Sequence, residues 1–330
     1  MLVLLGMLLA PLPIARADRS ARQRSRPTSQ RDVGTIAAAR RAGLRPPVLA
    51  WPHEGGAAIE VEGIGDIRTH GPLNPVPIAS VAKIMTAYIT LRQYPLEPGQ
   101  SGFVLTVTKA DVAEERKRVS EDQSVIAVKA GERLTERQAL LALMLPSANN
   151  LAAMLAVHDA GSVSAFVRRM NAQARALRMT STTYTDPSGF ESTTVSTPAD
   201  QVMLAEAAMR IPAFAAIVDR RAASLPVVGP VVNYNGLVGR EGYVGVKTGS
   251  DSAAGGCLVF AKRITVDGHR RLIIGAVLGQ RKGEIIQAAI VSARRLGNSA
   301  AQVLRAPLSV GPFSRRGLKR PAPAPIRPAL

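Results

Sequence analysis

The chain has little of what a disulfide-linked or metal-stabilised protein needs. It contains one cysteine, Cys257, in 330 residues, and a single thiol excludes an internal disulfide framework. Its four histidines are scattered and lack the spacing of metal ligands. We therefore expect no structural metal and no cofactor. Hydrophobic residues make up 46% of the chain, which is enough for a buried core and argues against global disorder.

Acidic residues are also few, with 24 Asp and Glu against 42 Lys and Arg, so the formal net charge is +18. Such a balance is typical of proteins that meet nucleic acid, anionic lipid or acidic polymers. However, residues 18–46 and 301–330 each carry +6 and Arg16 carries one more positive charge, which leaves +5 for residues 47–300. Both ends have linker-like composition, and no aromatic interleaving supports base stacking. We expect solvated tails and no nucleic-acid partner.

The extreme N-terminus carries the pattern of an export signal. An apolar run from Leu2 to Ile14 is too short to span a bilayer. It is followed by Ala15-Arg16-Ala17, a small-x-small cleavage pattern, although no positively charged stretch precedes it. A buried N-terminal element is the alternative. The sequence thus predicts a signal peptide at 1–17, a basic disordered linker at 18–46, and an exported protein of the cell envelope.

The body of the chain, residues 47–298, reads as one α+β domain. Strand-like runs occur near its start, at 57–61, and near its end, at 245–248, 257–261 and 272–277, with helical patterns between them. This order predicts an antiparallel sheet formed partly by the two ends of the domain, together with a helical cluster. The charged segment from Asp111 to Gly131 predicts an exposed loop or short hairpin. A disordered tail is expected at 299–330.

The chain has three motifs whose residue types are suited to catalysis or binding. The first is Ser80-Val81-Ala82-Lys83. On a helix, residues three apart share a face, so the Ser80 hydroxyl and the Lys83 amine can form a hydrogen bond. Serine is a weak nucleophile until a base takes its proton, and lysine serves as that base only when it is neutral. Taken alone, the motif is equally an ordinary helix start with an exposed lysine.

The second motif, Ser147-Ala148-Asn149, follows Pro146 at a break between two predicted helices. A serine there can relay a proton and an amide can hold a peptide group, although both are also common helix caps. The third motif is Lys247-Thr248-Gly249-Ser250 at a strand. Such a strand can pair with an extended peptide while its cation and hydroxyl bind a carboxylate. The alternative is a plain hairpin strand.

Together and in this order, the three motifs match the Ser-x-x-Lys, Ser-x-Asn and Lys-Thr-Gly set of penicillin-recognising acyl-serine enzymes. The chain resembles the low-molecular-mass D-alanyl-D-alanine carboxypeptidases through segments around these motifs. The segments run from Pro77 to Thr86, Leu145 to Asn150, Asp186 to Asp200 and Val244 to Leu258. The resemblance implies a serine β-lactamase and penicillin-binding-protein-like fold, and it implies peptidoglycan stem peptides ending in D-Ala-D-Ala as substrates.

The resemblance also implies a role for each motif residue. Ser80 would attack the penultimate D-alanine carbonyl, Lys83 would accept its proton, Ser147 would pass a proton to the leaving amine, and Asn149 would position Lys83 and the substrate amide. Lys247 would keep the local field positive, and Thr248 would bind the terminal carboxylate. The backbone N–H groups of Ser80 and Ser250 would form the oxyanion hole. Independently of the resemblance, glycine at position 249 (Gly249) lets a ligand approach the backbone closely. β-Lactams would be trapped on Ser80.

The sequence leaves several alternatives open. A class A β-lactamase shares the three motifs, but no Glu-x-x-Leu-Asn pattern occurs between Asn150 and Lys247. A transpeptidase or endopeptidase of the same fold differs only in the acceptor. A non-enzymatic protein could bind wall polymer or nucleic acid through its basic tails. Unlike many relatives, the chain is expected to have neither a second β-rich domain nor a C-terminal amphipathic anchor.

Overall fold

The computed structural model describes residues 48–64 and 66–306. The predicted signal peptide, the predicted linker up to residue 46 and residues 307–330 lie outside them. The described strands are β1 (Gly56–Val61), β2 (Arg68–His70), β3 (Val76–Pro77), β4 (Val104–Thr106), β5 (Arg133–Thr135), β6 (Val195–Ser196), β7 (Ala222–Leu225), β8 (Gly229–Val232), β9 (Tyr243–Asp251), β10 (Gly255–Val266) and β11 (His269–Gln280).

The described α-helices follow the helical patterns of the sequence and add two that it did not reveal. They are α1 (Lys83–Gln93), α2 (Lys109–Ser120), α3 (Glu136–Met144), α4 (Asn149–Ala160), α5 (Val163–Ala176), α6 (Pro198–Met209), α7 (Pro212–Val218) and α8 (Ile285–Arg305). A 3₁₀ turn at Ala79–Ala82 precedes α1. No single helix within residues 48–64 and 66–306 is long and apolar enough to cross a membrane.

The central sheet has five antiparallel strands in the order β2-β1-β11-β10-β9. The pairing of β1 with β11 joins the two ends of the domain, as the sequence predicted. The hairpin between β10 and β11 turns at Asp267-Gly268, where both φ angles are positive, as a two-residue hairpin turn requires. Strand β9, which carries the Lys-Thr-Gly motif, therefore lies at the end of the sheet order.

The central strands of the sheet carry apolar side chains on both faces, and each face packs against a core cluster. Side chains alternate along a strand, so Leu258 and Phe260 of β10 pack with Ala293 and Leu296 of α8. Their neighbour Val259 belongs to the larger core formed with the other helices. The α+β prediction, with an antiparallel sheet and a helical cluster, is confirmed.

Two sequence predictions were wrong in detail. The segment from Asp111 to Gly131 is not simply a loop or hairpin, because α2 spans Lys109–Ser120. This helix buries no residue and so lacks an apolar stripe. It is stabilised instead by a capping box between Thr108 and Asp111 and by an i,i+4 ion pair between Glu114 and Arg118.

The second correction concerns the end of the domain. The sequence placed a disordered tail from residue 299 onward, yet α8 continues to Arg305. Ser299, Ala300, Ala301 and Val303 are buried, and the Ser299 hydroxyl accepts a hydrogen bond of 2.8 Å from the Ala50 backbone N–H. This last turn is therefore part of the packed domain.

Candidate active site

Ser80 lies in the 3₁₀ turn that leads into α1, at a point where the backbone bends sharply. The residue before it, Ala79, has a φ of 45° in the left-handed region, which non-glycine residues rarely adopt and which concentrates at functional sites. Ser80 itself is half-buried. The spacing of three residues brings its Oγ to 2.8 Å from the Nζ of Lys83. The hydrogen bond expected from the sequence is present.

Lys83 is fully buried, with 0% of its surface exposed. Its Nζ also donates a hydrogen bond of 2.9 Å to the Ser188 carbonyl oxygen. Burial lowers the pKa of Lys83 well below its usual value, and the positive charge of Lys247 lowers it further. Asp186 opposes this shift in pKa, and Arg118 reinforces it. The lowered pKa favours the neutral amine, which is the form that can accept a proton from Ser80.

The Ser188 carbonyl is presented to Lys83 by a tight loop, Asp186 to Phe190. The carboxylate of Asp186 accepts hydrogen bonds from Ser188 N and Oγ, Gly189 N, Phe190 N and Thr194 Oγ1. Gly189 has a φ of +79°, and a Cβ there would lie 1.8 Å from the Ala79 carbonyl oxygen. Only glycine allows the loop to come this close to the turn that carries Ser80.

Helix α1 and this loop are joined by a second contact. The hydroxyl of Thr86, one turn after Lys83, donates a hydrogen bond of 2.6 Å to the Pro187 carbonyl oxygen. Thr86 is also fully buried. The loop is therefore fixed to the helix at two successive carbonyls, those of Pro187 and Ser188.

Ser147 and Asn149 lie where α3 ends and α4 begins, and both are buried. Ser147 has a φ of 68°. Its Oγ and the Oδ1 of Asn149 find no hydrogen-bond partner within the part of the chain that the structure describes. The Asn149 Nδ2 donates to Gln123 Oε1 at 2.8 Å. Lys83 Nζ bonds to the Ser188 carbonyl oxygen, and the positioning of Lys83 by Asn149 stays a prediction.

The third motif occupies β9. Lys247 is 1% exposed, and Thr248 is also buried. Burial lowers the pKa of Lys247 to about 7. Its Nζ donates a hydrogen bond of 3.1 Å to the Thr248 carbonyl oxygen. Ser250, at the end of the motif, is half-buried.

Gly249 explains how β9 approaches the nucleophile. A Cβ at this position would lie 2.9 Å from the Ile78 carbonyl oxygen and 3.0 Å from the backbone nitrogen of Ser80. Strand β9 therefore packs its backbone directly against the turn that carries the nucleophile. The proposed oxyanion hole of the Ser80 and Ser250 N–H groups stays a prediction.

Two contributors to this site were missed from the sequence. Arg118 lies in α2, and Gln123 lies in the segment that follows this helix. Arg118 donates a hydrogen bond to Gln123, which in turn accepts one from Asn149. The spacing of Thr108 and Asp111 signals the capping box of α2 and could have placed a helix before Gln123. No local pattern could have shown that this segment meets Asn149, because that contact is tertiary.

The arrangement supports acyl transfer to a serine. A hydroxyl lies within hydrogen-bond distance of a buried amine whose pKa is lowered, which is the pairing of nucleophile and base that covalent catalysis requires. The end strand β9 offers backbone groups for an extended peptide and a cation for a carboxylate. Among residues 48–64 and 66–306, no cluster of three or more His, Cys, Asp or Glu side chains could hold a metal ion.

Comparison with known proteins finds relatives that are named as D-alanyl-D-alanine peptidases. The chain is 33% identical over 174 residues to a D-alanyl-D-alanine endopeptidase of Pseudomonas aeruginosa, covering 52% of each protein. It is 34% identical over 210 residues to the D-alanyl-D-alanine carboxypeptidase DacB2 of Mycobacterium tuberculosis, covering 62% of this chain and 67% of that protein. The matches thus span about half to two thirds of the length of these relatives.

The fold has a solved counterpart in the crystal structure of the Streptomyces K15 DD-transpeptidase. The TM-score is 0.65 at 28% sequence identity, over 78% of this chain and 98% of that one. The sequence model of the family described as Peptidase S11, D-alanyl-D-alanine carboxypeptidase, matches residues 67–282. These residues include all three motifs and the loop that holds Lys83. The chain belongs to the Peptidase S11 family of D-alanyl-D-alanine carboxypeptidases.

Proposed function

We propose that this protein is a serine-type D-Ala-D-Ala carboxypeptidase that removes the terminal D-alanine of peptidoglycan stem peptides. Ser80 Oγ attacks the carbonyl of the penultimate D-alanine while neutral Lys83 takes its proton. The C–N bond to the last D-alanine then breaks, and the leaving amine receives a proton through Ser147. Water hydrolyses the resulting ester on Ser80, releasing the shortened peptide and regenerating the hydroxyl.

One observation carries this proposal, the 2.8 Å hydrogen bond between Ser80 Oγ and Lys83 Nζ. An exposed lysine would be protonated at neutral pH and could not act as a base. Here burial, together with the charge of Lys247, lowers the pKa of the amine. The same geometry makes Ser80 the site at which a β-lactam forms a covalent adduct.

Substrate recognition is assigned to β9. Lys247 and Thr248 bind the terminal carboxylate, because a buried cation and a hydroxyl are strong partners for that group. The peptide lies along the strand with its scissile carbonyl oxygen between the N–H groups of Ser80 and Ser250, an arrangement that stabilises the developing oxyanion.

The second candidate is a DD-endopeptidase or transpeptidase that uses the same acyl-enzyme. It is favoured by the relative of Pseudomonas aeruginosa named as an endopeptidase and by the structural counterpart named as a transpeptidase. The reactions differ in the leaving group or the acceptor, and Ser80 and Lys83 act alike in all of them. Efficient β-lactam hydrolysis is not proposed, since Glu191, Glu206 and Glu241 do not begin a Glu-x-x-Leu-Asn segment.

The proposed place of action is the cell envelope, on the wall side of the cytoplasmic membrane. This rests on the apolar run and cleavage pattern before residue 18. The basic segments 18–46 and 301–330 would favour electrostatic association with acidic wall polymers or a membrane surface. Such association would weaken with salt, whereas acylation of Ser80 would not depend on these segments.

The activity is tested with two substrates. A peptide ending in L-Lys-D-Ala-D-Ala reports the release of free D-alanine, and a cross-linked muropeptide dimer reports cleavage between two stems. Faster turnover of the linear peptide supports the carboxypeptidase, whereas faster cleavage of the dimer favours the endopeptidase. If neither substrate is cleaved and no aminolysis product forms with an added amino-acid acceptor, the proposed peptidase function is wrong.

A further inference from the structure

The segment that follows α2 contacts the second motif through Gln123. The Oε1 of Gln123 accepts two hydrogen bonds, one of 2.9 Å from Arg118 Nη1 and one of 2.8 Å from Asn149 Nδ2. On its other side, the Nε2 of Gln123 donates a hydrogen bond of 2.7 Å to the carboxylate of Glu121. Gln123 therefore links two charged side chains to an amide of the proposed active site.

The chemistry of these partners allows only one orientation of the Gln123 amide. A guanidinium group can only donate hydrogen bonds, and a carboxylate can only accept them. The Gln123 oxygen must therefore face Arg118, and its NH₂ group must face Glu121. Asn149 in turn has to present its own NH₂ group to Gln123.

A consequence follows for the other end of the Asn149 amide. Its Oδ1 is buried and has no hydrogen-bond partner among the described residues. A buried carbonyl oxygen without a donor is costly, so it calls for an explanation, and a catalytic role is one of those that such groups have. The orientation fixed by Gln123 keeps this oxygen available as an acceptor.

The same segment is anchored firmly to the motif. The Ser124 carbonyl oxygen accepts a hydrogen bond of 2.7 Å from the Asn149 N–H. Asn150 donates to the Ile126 carbonyl at 2.9 Å and accepts from the Ile126 N–H at 3.3 Å. Arg118, whose side chain is 16% exposed, is also paired with Glu114 at 2.9 Å. The segment after α2 is therefore joined to the second motif by several hydrogen bonds.

We propose that Arg118 and Gln123 are positioning residues for the acylation of Ser80, because they hold the Asn149 amide with its carbonyl oxygen free to accept an N–H group. This inference rests on the proposed acyl-serine function. The N–H group can come from the Lys83 amine or from the amide of the ligand. In either case, loss of Gln123 frees the Asn149 amide to rotate and lowers the fraction of protein that is ready to react.

Arg118 has a second effect that separates the two residues. Three charged groups from different elements act on Lys83: Lys247 of β9, Asp186 of the loop from Asp186 to Phe190, and Arg118 of α2. The positive charge of Arg118 lowers the pKa of Lys83. Removing that charge moves the pH dependence of acylation to higher pH, whereas removing the uncharged Gln123 side chain leaves the pH dependence in place.

The test compares rates of acylation of Ser80 across pH. Gln123→Leu removes the shared acceptor, Arg118→Met removes the donor and its charge, and Arg116→Met is the matched control on the exposed side of the same helix. Each protein is reacted with benzylpenicillin, which carries a side-chain amide, and with penicillanic acid, which has none. Circular dichroism and thermal unfolding verify that each variant is folded.

We expect Gln123→Leu to lower the plateau rate at least tenfold without moving the pH profile, because misplacement of a reacting group has effects of this size. Arg118→Met lowers the rate and also shifts the rising limb to higher pH, and Arg116→Met changes neither. The paired variant Gln123→Glu with Glu121→Gln retains most of the wild-type plateau rate, because residue 123 still accepts from both donors and residue 121 now donates to its second oxygen. The double variant Arg118→Met and Gln123→Leu has a plateau no lower than Gln123→Leu alone, because both act through Asn149.

The two β-lactams identify the source of the N–H group. A loss confined to benzylpenicillin assigns the ligand amide, and an equal loss with penicillanic acid assigns Lys83. If folded Gln123→Leu reacts with both at the wild-type rate, the inference is wrong while the proposed function stands. If the wild-type protein is not acylated by either, the proposed function fails and the inference fails with it.

Discussion

At the scale of single residues, the site contains two buried lysines that need opposite protonation states. In the proposed reaction, Lys83 must be neutral to accept the Ser80 proton, whereas Lys247 must be charged to bind a carboxylate. Burial lowers the pKa of both, and for Lys83 the charge of Lys247 adds to this effect. Each lysine thereby influences the other, because protonating one disfavours protonating the second.

Lys247→Gln should shift the pH dependence of acylation. Loss of the positive charge raises the pKa of Lys83, so Lys83 loses its proton at a higher pH and the rising limb of the profile moves upward. The measurement is the rate of acylation by benzylpenicillin between pH 5 and 10. Lys282→Gln, which removes a charge from an exposed position, serves as the control. An unshifted limb in Lys247→Gln would show that Lys247 does not act on Lys83.

Gly249→Ala should slow acylation without unfolding the protein. The new Cβ would lie 2.9 Å from the Ile78 carbonyl oxygen and 3.0 Å from the Ser80 nitrogen, so the turn that carries Ser80 must move. We expect a loss of about 100-fold in the acylation rate. Gly236→Ala is the matched control, since no atom lies within 4 Å of its added Cβ. Equal rates for the two variants would contradict the close packing of β9 against Ser80.

The residues of the site differ in how far the sequence could predict them. Ser80 and Lys83 are three positions apart, so local helix geometry alone predicts their contact. Arg118, Gln123 and the Ser188 carbonyl reach the site through tertiary contacts between distant segments. Because every residue has a backbone carbonyl, the residue type does not show which carbonyl accepts a hydrogen bond. The Ser188 oxygen could therefore not be predicted as the partner of Lys83.

At the scale of elements, the loop from Asp186 to Phe190 positions Lys83. It places the Ser188 carbonyl oxygen where the buried amine of Lys83 donates a hydrogen bond to it. The loop depends on one carboxylate, that of Asp186, whose two oxygens together accept five hydrogen bonds. A whole element is thus organised by a residue that does not itself bond to Lys83.

Asp186→Asn should lower both stability and acylation. An Asn oxygen in the place of Oδ2 still accepts from Ser188 N and Oγ, Gly189 N and Phe190 N, but these bonds lose the charge of the carboxylate, and the NH₂ group replaces the oxygen that accepts from Thr194 Oγ1. Hydrogen bonds to a charged group each contribute about 1.5–3 kcal/mol. We expect the free energy of unfolding to fall by at least that amount in urea titration, and the acylation rate to fall because the Ser188 carbonyl is displaced. Asp219→Asn, which affects an exposed ion pair with Arg263, is the control. A wild-type rate in folded Asp186→Asn would contradict the role of the loop.

Helix α2 shows why element prediction failed in one place and succeeded elsewhere. Helix α3 has both a capping box at Thr135 and buried apolar positions, and the sequence predicted it. Helix α2 has a capping box at Thr108, but its charge-rich sequence carries no apolar period and none of its residues is buried. Such a helix depends on caps and ion pairs, which are weaker signals than a hydrophobic stripe.

At the scale of the whole molecule, the domain is closed by α8 and extends further than the sequence predicted. Small residues such as Ala300 and Ala301 gave no strong signal of burial, although they pack in the core beneath the sheet. The pairing of β1 with β11 was predictable, because strand patterns occur at both ends of the body. The exact end of the domain depended on close packing that composition does not reveal.

Truncation tests this boundary. A chain ending after Asn298 loses the buried Val303 and the Ser299 hydroxyl that binds the Ala50 N–H. We expect it to lose about 3 kcal/mol of stability, since burying a valine side chain alone contributes about 1.5–3 kcal/mol. A chain ending after Ala306 should match the full-length protein in thermal unfolding and acylation. Equal stability of the two truncations would place the domain end at 298 after all.

The central claim is that Ser80 is the nucleophile of an acyl-serine enzyme and Lys83 is its base. It is tested most directly by incubating the full chain with benzylpenicillin and mapping the adduct by mass spectrometry of the digested protein. The account predicts one penicilloyl group, located on Ser80, that is absent from folded Ser80→Ala and forms far more slowly in folded Lys83→Met. An unmodified Ser80 in the wild-type protein, or an adduct that persists in Ser80→Ala, would contradict it.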